Sequence, residues 1–400
     1  MNILVISSIY PEPYNYGIAE DTKIVHYFAK YWTNQGHRVI VIHPYYNAVR
    51  NIRHFSSKYA HHISHSVIDD VNVIFGECQL LIPHALTPAK WRERYLAKRM
   101  RKYLEKHFPD FTPDAVSVHF PVILRGFISA FLNGEKALAV FHGTDIRLLQ
   151  SQYESRDLII QEFNKIYSQF LFRSPKLMTA GISCGFDSKI SNVLISGLNE
   201  SLIANKDFID RKIAKHPSII NLLFAGKIVH QKRIDQILKA LHSLKNNICF
   251  QLDVVGEGSE RKILENLTTE LDLDAYVRFH GSMSRNMVSQ MMGKADIFIM
   301  TSSNETLGLV YLEAMAQGCI TIGSKGEGID GIIVNNKNGF LVNPDDTSEI
   351  SKCIKDVYEM SLQKKRDIIN NAYNTVVGLT DKTISEYYYS MLENISNPEP

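Results

Sequence analysis

Four hundred residues are more than one hydrophobic core of ordinary size can organise, so two domains are expected. A hydrophobic share of 45% against 22% charged residues excludes wholesale disorder, and no apolar run reaches the ~18 residues that a bilayer span needs. A net charge of +2 is too small for a nucleic-acid binder, and five scattered cysteines without a CxxC pair exclude a zinc site and a disulfide framework, pointing to reduced thiols in a cytoplasmic protein.

The N-terminus, MNILVISSIYPEP, lacks the basic leader of a signal peptide and reads as a first strand over 2–8. A helical pattern over 18–35, closed by Gly36, leads to a second apolar run, HRVIVIHP, at 37–44. Further strand-like runs are VNVIFGE (71–77), DAVSVHF (114–120) and ALAVFHG (137–143). Between them lies KWRERYLAKRMRKYLEKHF (90–108), with eight Lys/Arg, two Glu and the interleaved Trp91, Tyr95, Met100, Tyr103 and Leu104. It fits a basic helix able to lie on an anionic membrane, against the blander reading of a solvated helix face. Charge is unevenly divided: residues 1–200 carry 22 − 17 = +5 and residues 201–400 carry 22 − 25 = −3.

After a polar interval at 199–217 a second series begins. Its expected strands are 220–226, 250–256, 276–281, 297–302, 319–324 and 339–342, separated by helices near 233–245, 258–272, 284–294, 307–317 and 346–360. A tyrosine-rich helical segment, 380–396, ends the chain and suits packing on either domain. Runs of β-branched residues, rather than polar/apolar alternation, indicate parallel sheets covered by helices on both faces. The expected fold is α/β, with two doubly wound Rossmann-like domains, 1–200 and 201–379, facing across a cleft. A C-terminal helix, 380–400, would cross back to the first domain. In such sheets ligands bind at the carboxyl ends of the strands.

Candidate site residues lie at those strand ends. Gly17 falls between the first strand and first helix, where a glycine lets backbone approach a phosphate, although it equally suits any loop. His142 ends a strand, with Gly143 and Asp145 following, so Asp145 is placed to orient its ring. In FAGKIVHQKR, Lys227 follows a strand and Lys232 comes five residues later, two ammonium groups able to clamp a diphosphate. Gly256, Glu257 and Gly258 read as a plain strand-to-helix turn.

The stretch TSSNETLGLVYLEAMAQG (301–318) departs most from ordinary packing. It promises a helix apolar on nearly every side, hence buried on nearly every side, yet Glu313 sits in its middle and Glu305 at its mouth. Thr306 suits a cap, which would leave the N–H groups of Leu307, Gly308 and Leu309 free. An unpartnered buried charge at Glu313 would be costly. It calls either for a core Arg or Lys or for a ligand's hydroxyl groups.

With these residues in place, the chain resembles the retaining, nucleotide-sugar-dependent glycosyltransferases of family 4 (glycosyl transferases group 1). Glu305 and Glu313 match that family's Glu-x7-Glu signature, and EGIDGIIVNNKNGFLV (327–342) is similar to the segment that follows it. FAGKIVHQKR is similar to its phosphate-binding loop and LISGLNESLI (194–203) to its interdomain segment. The resemblance implies a two-Rossmann B-type fold, with Lys227 and Lys232 on the donor diphosphate and Gly17 near the phosphates. It further implies Glu313 on the ribose hydroxyls, and Glu305 and His142 on the transferred sugar. Three positions depart from the family pattern. Lys227 stands where Arg is commoner, Arg233 replaces a common Gly, and "NYG" replaces a paired-glycine loop.

The same resemblance implies a nucleotide-sugar donor, by family habit a UDP-sugar, and a saccharide or lipid-linked acceptor of cell-surface polysaccharide or glycolipid synthesis. No Asp-x-Asp ends a strand, so a reaction without metal or other cofactor is expected, with Lys227, Lys232 and the helix amides steadying the leaving diphosphate. Two competing readings are a nucleotide-sugar epimerase on the same fold and a non-catalytic nucleotide-sugar-binding protein. Acceptor-dependent release of nucleotide separates them.

Overall fold

The computed structural model describes residues 1–11, 24–48, 62–80, 90–151, 155–214 and 219–397. By their internal contacts they form two units, one comprising 1–173, 177–195 and 382–400, the other 174–176 and 196–381.

Eight strands form the first unit's sheet: β1 (Asn2–Ser7), β2 (Arg38–Ala48), β3 (Ile63–Ile68), β4 (Val71–Leu80), β5 (Ala115–His119), β6 (Ala137–Phe141), β7 (Tyr167–Phe172) and β8 (Ser191–Val193). Their order in space is β3-β4-β2-β1-β5-β6-β7-β8. Every residue of β5 and β6 is buried, because helices cover both faces. That is why the sequence shows unbroken apolar runs there. Register places Val5 of β1 opposite Val41 on one side and Ser117 on the other. The β3–β4 pairing is antiparallel, and β3 alternates half-buried with exposed residues as an edge strand does. This polar alternation concealed β3 from the sequence reading, and the polar start of β7, YSQFLF, concealed that strand.

The second unit holds β9 (Ile220–Ala225), β10 (Phe250–Val255), β11 (Val277–Gly281), β12 (Ile297–Ile299), β13 (Ile320–Ser324) and β14 (Phe340–Val342) in the order β11-β10-β9-β12-β13-β14, all parallel. This is the doubly wound arrangement, and its direction of winding reverses between β9 and β12, as the first sheet's does between β1 and β5. A crevice opens at the carboxyl ends of such a pair.

Two helices complete the cores. The last, Asp381–Ser396, lies in the first unit: Tyr388 is fully buried, edge-on to Phe28 and Trp32 at 5.0 Å each, and Trp32 Nε1 donates to the Ser385 carbonyl at 3.1 Å. In the second unit a helix over Leu362–Val377, capped by Ser361, packs on the helix Leu309–Ala316. It had no counterpart in the sequence reading, which left that segment unassigned.

Candidate functional site

After β9 the chain makes a loop whose backbone lies directly on the loop after β10. Ile228 N–H donates to the Glu257 carbonyl at 2.8 Å, and Glu260 N–H returns to Ile228 at 3.1 Å. A Cβ on Gly256 would stand 1.8 Å from the Gly226 oxygen, and one on Gly258 2.1 Å from the Ile228 oxygen. These glycines therefore serve loop-on-loop contact. Lys227 is exposed on this loop, and its ammonium has no hydrogen bond or ion pair among the described residues. Arg233 begins the helix Ile234–Leu244 with φ +51°, the left-handed region. A glycine adopts that conformation without strain, which accounts for the family's usual residue here. The Arg233 guanidinium turns to Asp345 at 3.0 Å and His230 at 3.0 Å.

Lys232 is held across the switch point. Its Nζ donates to Glu305 Oε2 at 2.5 Å, and both side chains are mostly buried, at 19% and 18% exposure. The other carboxylate oxygen, Oε1, accepts the Thr306 N–H at 3.2 Å. Glu327 fixes the backbone beneath: its Oε2 takes the Glu305 N–H at 2.9 Å and the ammonium of Lys176, a residue of this same unit, at 2.6 Å. The following Gly328 lies so close that a Cβ would meet the Thr306 oxygen at 1.9 Å. Glu327 and Lys176 were not singled out in the sequence; the EGIDG segment was noted without a role for its carboxylate.

Thr306 is not the cap. The helix runs Leu309–Ala316, and its N-cap is Gly308 at φ +77°, with no side-chain hydrogen bond. A Cβ at 308 would strike the Tyr311 ring at 2.7 Å, so the left-handed turn and the close ring both require glycine. The chain thus enters the helix two residues later than the sequence suggests. Tyr311 N–H bonds the Gly308 carbonyl, and the amides of Leu307, Gly308, Leu309 and Val310 donate no hydrogen bond among the described residues. The helix is buried from Tyr311 through Ala316, as its all-round apolar sequence requires.

Glu313, 9% exposed, has a cation partner that is itself half-buried. Arg285 donates twice to its Oε1, from Nη2 at 2.6 Å and Nε at 3.0 Å. Its Oε2 carries no hydrogen bond among the described residues. Spacing could not reveal Arg285, which lies 28 residues away on another helix, Arg285–Lys294.

In the first unit His142 follows β6 and is half-buried, with its ring stacked on Phe120 at 3.8 Å and 13°. Asp145 does not orient that ring. Its carboxylate, fully buried in the first turn of the helix Gly143–Ser151, accepts the backbone N–H of His142 at 2.9 Å and of Val122 at 3.0 Å. A side chain three residues into a helix reaches back to main chain more readily than around to a ring. Burial pushes the Asp145 carboxyl up to about 7, against the pull of those N–H groups. The ring's partner is His119, whose Nδ1 lies 3.2 Å from His142 Nε2. Burial first, then neighbouring positive charge from Arg173, holds His119 well below the usual histidine range. His142 is held down by burial, then by His119 and Arg173. Gly17 lies outside the described residues.

Two doubly wound, mainly parallel sheets that reverse their winding, with charged or hydrogen-bonding side chains gathered past the strand ends, define a two-Rossmann α/β protein. Within that class the model of the glycosyl transferases group 1 family matches residues 205–375, inside the second unit. Among known proteins, the N-acetyl-alpha-D-glucosaminyl L-malate synthase of Bacillus anthracis is 24% identical over 316 residues, 71% of this chain and 76% of that one. The lipopolysaccharide core biosynthesis glycosyltransferase LpsE of Rhizobium meliloti is 27% identical over 42% of this chain and 48% of its own, so the chain spans about half of that relative. In fold, a glycosyltransferase from Rickettsia africae superposes with a TM-score of 0.70 at 15% identity over 99% of each chain. Anabaena HepE, solved in complex with UDP, superposes with a TM-score of 0.68 at 18% identity over 98% of this chain and 100% of that one.

Proposed function

We propose that the protein is a retaining, metal-independent glycosyltransferase. It moves a hexose or N-acetylhexosamine from a UDP-sugar to a saccharide or lipid-linked acceptor in cell-surface polysaccharide or glycolipid synthesis. The observation that carries this is the Lys232–Glu305 pair at the switch point of a unit that matches the family model, four residues before a buried helix with free amides. The relatives' names and the UDP seen with HepE support the donor and the pathway class.

In this reading the bond from the anomeric carbon to phosphate breaks as the acceptor oxygen attacks the same face, and the departing phosphate takes the acceptor's proton. No protein nucleophile is needed. Lys232, the exposed Lys227 and the amides of Leu309 and Val310 stabilise the charge that grows on the diphosphate. Glu313, with Oε1 fixed by Arg285, offers Oε2 to the ribose hydroxyls, and Glu305 meets the sugar as positive charge develops on it. On the first unit, His142 meets a sugar hydroxyl. The test is acceptor-dependent release of nucleotide from a panel of UDP-sugars in excess chelator. Release without acceptor favours an epimerase or hydrolase, and loss of activity restored by Mg²⁺ or Mn²⁺ overturns the metal-independent step.

The acceptor side points to a membrane surface. The helix Lys90–His107 buries Leu96, Ala97, Met100 and Leu104. It turns Trp91 and Tyr95 outward, 64% and 49% exposed, together with Arg94, Lys98, Arg99, Lys102 and Lys106. Arg101 is not on that face, because it pairs with Glu105 and Glu135. Aromatic rings among lysines and arginines suit the headgroup zone of an anionic bilayer, and no helix among the described residues is long and apolar enough to cross one. The proposal is peripheral attachment at the cytoplasmic face. Flotation with anionic liposomes should be lost at high salt and on reversing Lys98, Arg99 and Lys102; binding that survives reversal overturns it.

A further inference from the structure

Behind His142 runs a line of buried polar groups, with the buried Arg173 guanidinium near it. Ser117 sits mid-strand in β5, fully buried, and among the described residues the single partner of its hydroxyl is the hydroxyl of Tyr388. Tyr388, also fully buried, comes from the last helix and lies 3.2 Å from His119 Nε2. His119 Nδ1 in turn meets His142 Nε2 at 3.2 Å. The line therefore reads Ser117–Tyr388–His119–His142. Four groups, two from β5, one from the position after β6 and one from the last helix, are joined without a break.

A neutral imidazole carries one proton on one nitrogen, so each histidine in this line donates at one end and accepts at the other. The whole line must then point one way. If Tyr388 donated to Ser117, the Ser117 proton would be sealed in the sheet without an acceptor, which is costly for a buried donor. In the opposite sense every proton is used. Ser117 donates to Tyr388, Tyr388 to His119 Nε2, and His119 Nδ1–H to His142 Nε2.

We infer that Ser117, Tyr388 and His119 are positioning residues that fix His142 in the Nδ1–H form, so that it offers the sugar a hydrogen-bond donor and has no free lone pair. This rests on the reading of His142 as a sugar contact. Burial keeps both imidazoles neutral, as the line requires. A second feature supports a built site. Phe120, at the end of β5, has φ +60°, a strained conformation for a bulky side chain, and the turn lays its ring on His142. The chemical consequence is specific. His142 recognises an oxygen lone pair on the sugar and cannot take the acceptor's proton, since its basic nitrogen is occupied. A donor lacking the contacted hydroxyl should lose this contact, whereas a change of acceptor should not affect it.

The test is nitrogen-15 NMR of the full-length protein labelled at histidine, with His142 assigned by its loss in His142→Gln. Wild type should show Nδ1 protonated and Nε2 bare. Ser117→Ala removes the hydroxyl that sets the sense of the line, so it should already admit some of the other form. Tyr388→Phe, which removes the donor to His119, should mix the two forms and lower kcat/KM for the nucleotide-sugar about fivefold, the worth of one ordinary hydrogen bond. Affinity for free nucleoside diphosphate should not change. A wild-type His142 protonated at Nε2, or a spectrum unmoved by Tyr388→Phe in a folded protein, overturns the inference. If the proton is on Nδ1 but His142→Gln turns over normally, the relay stands and the sugar role assigned to His142 falls.

Discussion

Past the strand ends of the second unit, charge meets charge: Lys232 with Glu305, Arg285 with Glu313, Lys176 with Glu327. Past those of the first, no carboxylate–ammonium pair stands among these groups: two imidazoles, a phenol and a carboxyl whose ionisation burial delays to about 7, with the buried Arg173 beside them. In the reading proposed above, the difference follows from what each surface is asked to hold. A diphosphate brings charge, and ammonium groups already held in place by carboxylates meet it with little side-chain freedom left to lose. A sugar hydroxyl brings only direction, and a line of hydrogen bonds specifies direction better than a charge does. Ion pairs set the strength of a contact, whereas relays set its sense.

The sharpest way to break this contrast is at Lys232. Lys232→Met should lower kcat/KM roughly 10³-fold, the range for losing one preorganised charge partner, and weaken free nucleoside diphosphate as an inhibitor. Steady-state kinetics with diphosphate inhibition reads both effects. Glu305→Gln should cost about 10²-fold in kcat while the diphosphate binds nearly as before, because the lost contact forms on the sugar. A Glu305→Gln enzyme with full turnover would leave Glu305 as no more than a prop for Lys232.

A smaller effect tests the second pair. Glu313→Gln should raise the donor KM about tenfold and leave kcat nearly intact, since a ribose contact exists before and during the reaction alike. Breaking a fully buried ion pair costs ~3–5 kcal/mol. Arg285 is about a third exposed, so roughly 1–2 kcal/mol is expected here by denaturant titration. A folded Glu313→Gln protein that binds donor normally would reduce Glu313 to a core residue tied to Arg285.

The mildest test is pH. The Asp145 carboxyl is raised in the folded state from an ordinary 3.8 to about 7, so the fold keeps a proton that the unfolded chain releases. That contribution is fully present below about pH 4 and drains away as pH rises to 7. Asp145→Asn cannot ionise and loses one acceptor for the buried N–H groups, a deficit of about 1–3 kcal/mol at pH 4 that should shrink towards pH 7. Melting temperatures of both proteins across that range decide it. A gap that widens with pH would mean that Asp145 is held ionised by its N–H partners.

Much of the second unit was legible because its anomalies are local. A glutamate inside an apolar run stands out, and a lysine five residues past a strand end can be placed by counting. What stayed hidden depended on geometry that spacing does not carry. Gly308 turns left-handed and moves the helix start past Thr306. Asp145 bonds the backbone of His142 instead of its ring. Arg285 reaches Glu313 from another helix, and the Tyr388–His119 contact joins residues 269 positions apart. Edge strand β3 was hidden for a different reason: its outer face meets water, so its pattern resembles a loop. Gly17 lies outside the described residues.

The helix Leu309–Ala316 has one further consequence, for the order in which the molecule assembles. Eight residues are too few to hold a helix in water, since isolated helices shorter than ~12–15 residues are marginal. Its apolar surface must be covered before it can exist, and part of that cover is the helix Leu362–Val377, made more than forty residues later in the chain. A nascent or truncated chain ending before 362 therefore cannot present the amides of Leu309 and Val310 to a phosphate. The binding end should be among the last parts to mature, and refolding should recover bulk secondary structure before it recovers affinity for nucleotide.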